Sequence, residues 1–212
     1  MTSGARGSYS SGRDRRERIL DAATRRFADG GYAQTSLADI ARDVDVTGPG
    51  LKHHFPSKEH LLLAIAERRF VRARGTASEE PADVDGLGTL RLMLHQTAIR
   101  AQQPELIEIF VQVVGLAADP HGPAHELFAE RYAVVVDDLT VRFRAAVARG
   151  LLRSDIDYEA ISRSLIALSD GLQIQWVLTR GGIDMVGMMT DHLERLTPVI
   201  LVSGAQVSLS VE

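Results

Sequence analysis

The chain has 212 residues, enough for one or two domains with a real core, and 45% of them are hydrophobic although only 5% are aromatic. It contains no cysteine, which excludes disulfide bonds and thiolate metal sites. The formal charge of −4 is unevenly distributed along the chain. Residues 1–75 contain 14 Lys and Arg and 9 Asp and Glu, whereas residues 76–212 contain 10 Lys and Arg and 19 Asp and Glu. A basic first third favours a phosphate-bearing partner that contacts only one end of the molecule.

Segment 1–12 is rich in Gly and Ser and lacks the apolar core of a signal peptide, so we predict a disordered arm. A helix follows, marked by Ile19, Ala23 and Phe27. Its start is either a solvated helix end or a basic arm that contacts the phosphates or minor groove of a nucleic acid, and it carries Arg13, Arg15, Arg16 and Arg18. No apolar run reaches the length of a membrane span, and we expect a soluble, cytoplasmic protein.

Residues 35–63 have the pattern of two short helices separated by a tight turn. The first has one apolar stripe and a capping box formed by Ser36 and Asp39; the stripe is Leu37, Ile40, Ala41 and Val44. Thr47 can cap the second helix, where Pro49 sits in the first turn and needs no hydrogen bond from its nitrogen. Leu51 and Phe55 face inward, and Pro56 and Ser57 end this helix and start the next. The spacing therefore predicts a helix-turn-helix.

These residues resemble the TetR family of bacterial transcription regulators. The family pattern appears as Thr35-Ser36, Val46-Thr47, the run Leu51 to Phe55, and Ser57-Lys58-Glu59. The resemblance is specific over about residues 15–70 and only architectural beyond. One position departs from the pattern, because Lys52 replaces the tyrosine that commonly contacts phosphate in the family, and lysine could keep that role as a point charge. Gly48 and Gly50 leave little side chain to read bases.

The resemblance implies an amino-terminal helix-turn-helix domain of three helices, at residues 13–74, that binds a double-stranded, pseudopalindromic DNA operator. Both lysines of the chain lie in this motif. The adjacent His53 and His54 point about 100° apart on a helix, so they cannot chelate one metal ion together. The expected DNA-binding residues are Thr35, Ser36, Thr47, Gly48, Pro49, Gly50, Lys52, His53, His54 and Lys58.

Apolar periodicity stops after residue 72, and Gly75, Pro81 and several acids predict a loop that marks a domain boundary. A second, helical domain is expected at residues 84–202. It reads as five helices over 87–102, 105–118, 124–148, 158–179 and 185–202, which makes the whole chain all-α.

The last two helices repeat apolar residues at alternating three- and four-residue steps, the spacing of packed helical bundles. This seam is either intramolecular core or a dimer interface. TetR-like proteins dimerise through these two helices, so the resemblance favours a homodimer whose interface contains Leu165, Leu168, Leu172, Met189, Leu193 and Leu196.

The middle helices are expected to enclose a small-molecule effector, with apolar side chains and a few polar tips suited to an apolar or aromatic ligand. The predicted lining is Met93, Gln96, Phe110, Val114, Phe128, Tyr132, Val136 and Trp176. Residue by residue, plain hydrophobic core is the competing interpretation.

We found no catalytic motif and expect no cofactor, metal or enzymatic activity. Asp119, His121, His125 and Glu126 cluster before a helix but straddle a predicted turn, which favours a solvated loop over a divalent-ion site. The sequence thus predicts a ligand-responsive DNA-binding repressor. Two alternatives stay open: a helical ligand-binding or interaction protein whose helix-turn-helix is only structural, and an all-α metal-dependent enzyme.

Overall fold

The computed structural model describes the backbone of residues 5–77 and 83–210 and the side chains of residues 12–71 and 83–210. Within these ranges the all-α prediction is confirmed, and the helices are α1 (Ala5–Gly30), α2 (Leu37–Asp43), α3 (Gly48–His54), α4 (Lys58–Ala77), α5 (Gly88–Ala101), α6 (Pro104–Ala117), α7 (Pro123–Ala148), α8 (Tyr158–Leu178) and α9 (Met185–Ile200). No helix in the described ranges is long and apolar enough to cross a membrane.

The helices start and end where local sequence predicts them. Prolines occupy the first turn of α6 and α7, where an amide hydrogen bond is not needed. Asp157 caps α8 and Asp184 caps α9 through their carboxylates. The five predicted carboxy-terminal helices therefore agree with α5 to α9 within two residues at each end.

Two predicted boundaries differ from the structure. The backbone of residues 5–12, expected to be part of a disordered arm, is helical, and residues 1–4 lie outside the described residues. Residues 72–77, expected to be loop, continue α4. In both cases a helix already nucleated by a buried face propagates into polar sequence, because each added residue gains a hydrogen bond without a new nucleation cost.

One hydrophobic core joins the amino-terminal helices to the rest of the molecule. Apolar residues of α1 to α4 pack together and continue into Ile109, Phe110 and Val113 of α6 and Phe128 of α7. A second core holds α5, α7, α8 and α9. Since α6 and α7 contribute to both, the helix-turn-helix is packed directly on the larger helical domain.

The residues after α9 fold back onto the larger domain. Leu201 pairs with Leu152 in an isolated antiparallel bridge, and the main-chain amide of Leu209 donates a 2.8 Å hydrogen bond to Glu194. The Leu209 side chain is buried in the second core. The domain therefore extends past residue 202, where the apolar helical pattern of the sequence ends.

Candidate functional sites

The turn between α2 and α3 fixes the geometry of the helix-turn-helix. Asp45 adopts a left-handed backbone conformation, with φ of 54°, that aspartate tolerates better than most residues. Thr47 then caps α3, its hydroxyl accepting a 3.1 Å hydrogen bond from the amide of Gly50. Before the turn, Ser36 and Asp39 form the predicted reciprocal capping box of α2.

The outer face of α3 is open to solvent. Leu51 is buried, while Gly48, Pro49, Lys52 and His53 are exposed. Ser36 and Thr47 are exposed as well, at the starts of α2 and α3, and Gly50 and His54 are half-buried. Eight of the ten predicted DNA-binding residues thus lie at the starts of α2 and α3 or along α3.

Basic side chains of α1 lie beside this face. The Arg16 guanidinium packs over the Phe55 ring, 5.3 Å from its centroid. The pKa of His54 is lowered, first by partial burial and then by the positive charges of His53, Arg15 and Arg16. Arg15, which is exposed, therefore lies near α3, an arrangement compatible with either interpretation of this basic helix start.

Two of the predicted contacts have structural roles instead. Thr35 is buried, and its hydroxyl bonds to the carbonyl oxygens of Arg26 and Gly31. The ammonium of Lys58 donates hydrogen bonds to the carbonyl oxygens of Tyr32, Ala33 and Thr35, at 2.7, 3.2 and 3.1 Å. Lys58 also lies over the Tyr32 ring, 4.4 Å from its centroid. The predictions for these two residues are corrected, because carbonyls that end α1 and precede α2 already occupy both side chains.

The predicted dimer seam is largely internal to one chain. Leu165, Leu172, Met189 and Leu193 are 0–2% exposed and belong to the second core, so they cannot contact another molecule. Leu168 and Leu196 are half-buried. The large apolar side chains that α8 and α9 leave exposed are Leu178, Met188 and Val199.

A cavity of about 620 Å³ lies between α4, α5, α6, α7 and α8. Of the predicted lining residues, Met93, Gln96 and Phe110 are on its wall. The other five do not line the cavity. Phe128 and Val136 are buried within the hydrophobic cores, whereas Val114, Tyr132 and Trp176 are partly buried and pack against them. Periodicity identified the apolar face of each helix, but it does not distinguish positions that pack in the core from positions that line a cavity.

Three arginines that no sequence pattern had indicated also line the cavity. Arg69 of α4, Arg100 of α5 and Arg131 of α7 line it. The Arg131 guanidinium lies 3.7 Å from Oδ1 of Asp170. The other carboxylate oxygen of Asp170, Oδ2, accepts a 2.7 Å hydrogen bond from the Tyr132 hydroxyl. Burial, then the charge of Asp170, raises the pKa of Tyr132 to about 12. An aspartate within the apolar stripe of α8 was the available indication of a buried charge.

Arg69 connects the helix-turn-helix to this cavity. It donates to the carbonyl oxygen of Leu106 in α6 and, over 2.9 Å, to the side-chain oxygen of Gln173 in α8. Its neighbour Phe70 also lines the cavity. Since α4 begins directly after α3, one helix runs from the exposed face to the cavity wall.

No group of three or more His, Cys, Asp and Glu that could hold a metal ion occurs among the described residues. Before α7, the main-chain amide of His121 donates a hydrogen bond to the Asp119 carboxylate, and in the first turn of α7 the His125 ring bonds to the carbonyl oxygen of Ala117. These contacts are those of a hydrogen-bonded turn.

Comparisons with known proteins agree on one family. The family model described as bacterial regulatory proteins, tetR family, matches residues 19–65, and the model for the carboxy-terminal part of BetI-type transcriptional repressors matches residues 89–198. The chain is 30% identical to the transcriptional regulator TtgR of Pseudomonas putida, over 87% of this chain and 93% of that protein.

Other relatives and solved structures extend the comparison. The repressor AcnR of Corynebacterium diphtheriae is 25% identical, over 88% of this chain and 89% of its own. A regulator from Saccharomonospora viridis solved with choline has a TM-score of 0.71 and 26% identity, covering 88% of this chain and 97% of that one. The complex of SmeT with triclosan shares the fold, with a TM-score of 0.76 and 22% identity, covering 94% and 97%.

Proposed function

Because the chain belongs to the TetR family of helix-turn-helix transcriptional regulators, we propose that it is a repressor that a small molecule releases from its operator. The observation that carries this proposal is the exposed face of α3, held by the Thr47 cap and flanked by basic residues of α1. The operator is double-stranded and pseudopalindromic, and the protein acts in the cytoplasm, where such DNA is found.

The amino-terminal unit, residues 13–74, binds the DNA. The proposed contacts are the exposed or half-buried residues that α2 and α3 present, namely Ser36, Thr47, Gly48, Pro49, Gly50, Lys52, His53 and His54. Lys52 contacts phosphate, because the carbonyls that hold Lys58 leave Lys52 as the lysine with an exposed ammonium among the described residues. Small residues at the start of α3 allow its backbone to approach the DNA closely.

Operator recognition needs two readers about one helical turn apart, so we assign the active form to a homodimer. The outer face of α8 and α9 is the proposed interface. Exposed apolar side chains there include Leu178, Met188 and Val199, and Leu168 and Leu196 are available at the edge of the core. These residues replace the buried part of the predicted seam.

The unit covering residues 84–202 binds the effector in the 620 Å³ cavity. This volume falls in the usual range for a drug-sized ligand. Apolar and aromatic side chains, Met93 and Phe110 among them, make up half of the wall, and Gln96 adds a polar group, which suits an effector with an apolar or aromatic body fixed by polar contacts. Two similar proteins were solved with small molecules, triclosan and choline.

Release follows from linkage between the two sites. A ligand that contacts Arg69 and Phe70 acts on the middle of α4, whose amino-terminal end adjoins α3. Ligand binding shifts α4, and the spacing between the two α3 helices of the dimer then no longer matches that of successive major grooves. The affinity for the operator falls as a result. Reciprocity then requires that operator weakens ligand binding by the same factor.

The proposal is tested by selecting bound sequences from a random pool of duplex DNA, followed by gel shifts at low and moderate salt. A pseudopalindromic site whose binding weakens steeply with salt is expected. A folded protein that enriches no sequence, and binds no duplex even at low salt, would leave the helix-turn-helix with a structural role only. The matched control is Lys52→Ala together with His53→Ala, which should bind weakly while retaining the fold.

A further inference from the structure

The buried end of the cavity carries more positive than negative charge. Arg69, Arg100 and Arg131 line it, and Asp170 is the one carboxylate within salt-bridge distance of any of them among the described residues. The Arg131 and Asp170 side chains are each only 12% exposed. Burying an ionised group is unfavourable unless an opposite charge and hydrogen bonds compensate it.

The acceptors present are too few for three guanidinium groups. Arg69 is bonded to neutral oxygens of Leu106 and Gln173, and within the described part of the chain Arg100 donates only to the Ser169 hydroxyl, at 3.3 Å. One guanidinium nitrogen of Arg131, Nη1, is buried without a hydrogen-bond partner among the described residues. This atom is enclosed by the protein, and the rings of Phe70 and Tyr132, whose centroids lie 4.6 and 4.9 Å from the guanidinium carbon, compensate part of the burial of Arg131. Arg100 is therefore the guanidinium whose bonds within the described residues leave the most room for an added acceptor.

Electrostatics within the cluster support this reading. Burial, followed by the charges of Arg100 and Arg131, lowers the pKa of Arg69 to about 9. Burial and the charge of Arg131 lower the pKa of Arg100 to about 10. Arg69 and Arg100 remain cationic at neutral pH, and Asp170 is already engaged by Tyr132. The cluster therefore favours an added anion.

The rest of the wall suits a hydrocarbon or aromatic body. Met93, Phe110 and Leu139 line the cavity and are 1–6% exposed. The acidic residues that also line it are exposed and belong to its rim, where solvent screens them; they are Glu67, Glu130, Asp137 and Asp138. Apolar surface therefore adjoins the buried arginines, since Phe110 lies 5.5 Å from the Arg69 guanidinium carbon and 5.4 Å from that of Arg131, measured to the ring centroid.

We propose that the effector is an organic acid whose carboxylate binds Arg100 and Arg131 and whose apolar body lies against Met93, Phe110 and Leu139. A planar guanidinium matches a carboxylate with two parallel hydrogen bonds, and a carboxylate would give Arg100 the charged acceptor that the Ser169 hydroxyl does not provide. This inference rests on the proposed effector site and sharpens the chemistry of its ligand from apolar to amphiphilic and anionic. A quaternary ammonium, as in the choline complex of the similar regulator, is disfavoured by the same charges.

The test uses matched probes on the full chain without DNA. Titration calorimetry would compare decanoate and 2-naphthoate with decanamide and 2-naphthamide, which keep the shape and remove the charge. At least one acid should bind about tenfold or more tightly than its amide, because a hydrogen bond to a charged group is worth about 1.5–3 kcal/mol. Equal binding of acid and amide, or no binding of either acid, overturns the proposal.

Variants then locate the carboxylate. Arg131→Met and Arg100→Met should each reduce the preference for the acid to near unity, whereas Arg163→Met, which removes an exposed arginine of α8, should preserve it. A preference that survives both cavity variants overturns the assignment. If circular dichroism shows that one cavity variant is unfolded, the other variant tests the assignment. If both are unfolded, the ratio of acid to amide affinity of the wild-type protein tests the proposal.

DNA binding is measured separately by gel shift with the selected operator. A wild type that prefers acids yet binds no DNA refutes the proposed function and leaves the ligand class standing. A wild type that binds DNA but no acid refutes only the ligand class.

Discussion

Lys52 and Lys58 lie six residues apart on neighbouring helices and carry the same charge, yet their surroundings differ. Lys58 is held by three carbonyl oxygens, whereas Lys52 is exposed on the outer face of α3. A charge that is already bonded within the protein contributes little to counterion release from DNA. The two lysines should therefore respond differently to substitution.

Replacing Lys52 by Ala should weaken binding to operator and to random duplex alike. It should also reduce the slope of log affinity against log salt by about one per lost phosphate contact, hence about two per dimer. Fluorescence anisotropy across a salt series measures both effects. An altered base preference with an unchanged slope would assign Lys52 to base recognition instead.

Replacing Lys58 by Met should lower the free energy of unfolding by about 1–3 kcal/mol, because buried or half-buried carbonyls lose a charged donor. Urea denaturation followed by circular dichroism measures this loss, with Lys52→Met as the matched control. The salt slope of the folded protein should stay unchanged. Full stability together with a shallower slope would return Lys58 to the phosphate contacts.

Sequence could predict the caps of these helices but not the role of Lys58. Ser36, Thr47 and Ser57 act on amides three residues away, so spacing alone indicates their function. The oxygens that bind Lys58 lie 23 to 26 residues away, on a loop whose position depends on how α1 and α4 pack. A family resemblance marks such a residue as important without saying what it contacts.

At the scale of elements, α8 and α9 show what periodicity leaves open. Their three-and-four repeat correctly gave an apolar stripe on each helix, but the stripe meets α5, α7 and the other helix of the pair within one chain. The same apolar repeat is found whether the packed helices belong to one chain or to two, so the repeat alone does not distinguish a core from a dimer interface. Exposure in the folded chain therefore moves the proposed dimer contact to the outer face.

Met188→Asp should convert the dimer to a folded monomer. Met188 is 44% exposed in the first turn of α9, where a carboxylate is favourable to the helix and costs the isolated chain little. In a dimer interface the same charge would be buried without a partner. Sedimentation velocity measures the outcome, and Val84→Asp, at an 80% exposed position outside these helices, is the control.

The buried seam gives the complementary result. Leu193→Asp, at 0% exposure, should unfold the chain rather than merely divide the dimer. A Met188→Asp protein that remains dimeric would move the interface away from the outer face of α9.

At the scale of the whole molecule, the two sites are linked by shared packing. One core contains the helix-turn-helix, Phe110 and Phe128, and Phe128 packs against Phe70 and Tyr132. Local sequence placed each helix, but the cavity arises from residues as distant as Arg69 and Gln173, 104 positions apart. No periodicity along a single helix reports such a meeting, which is why only three of the eight predicted lining residues are on the wall of this cavity.

Filling the cavity should separate ligand response from DNA binding. Val135 is half-buried on the cavity wall, so Val135→Trp would place an indole in the proposed effector site while leaving α1 to α4 unchanged. Compounds that release wild-type protein from operator, with a coupling of about 1–3 kcal/mol, should not release this variant, although its operator affinity is retained. Gel shifts with each compound measure the response, and Val84→Trp, outside the cavity, should respond like the wild type. A compound that releases Val135→Trp at the wild-type concentration would place the effector elsewhere, and the connection from the cavity through α4 to the DNA-binding face would no longer explain control.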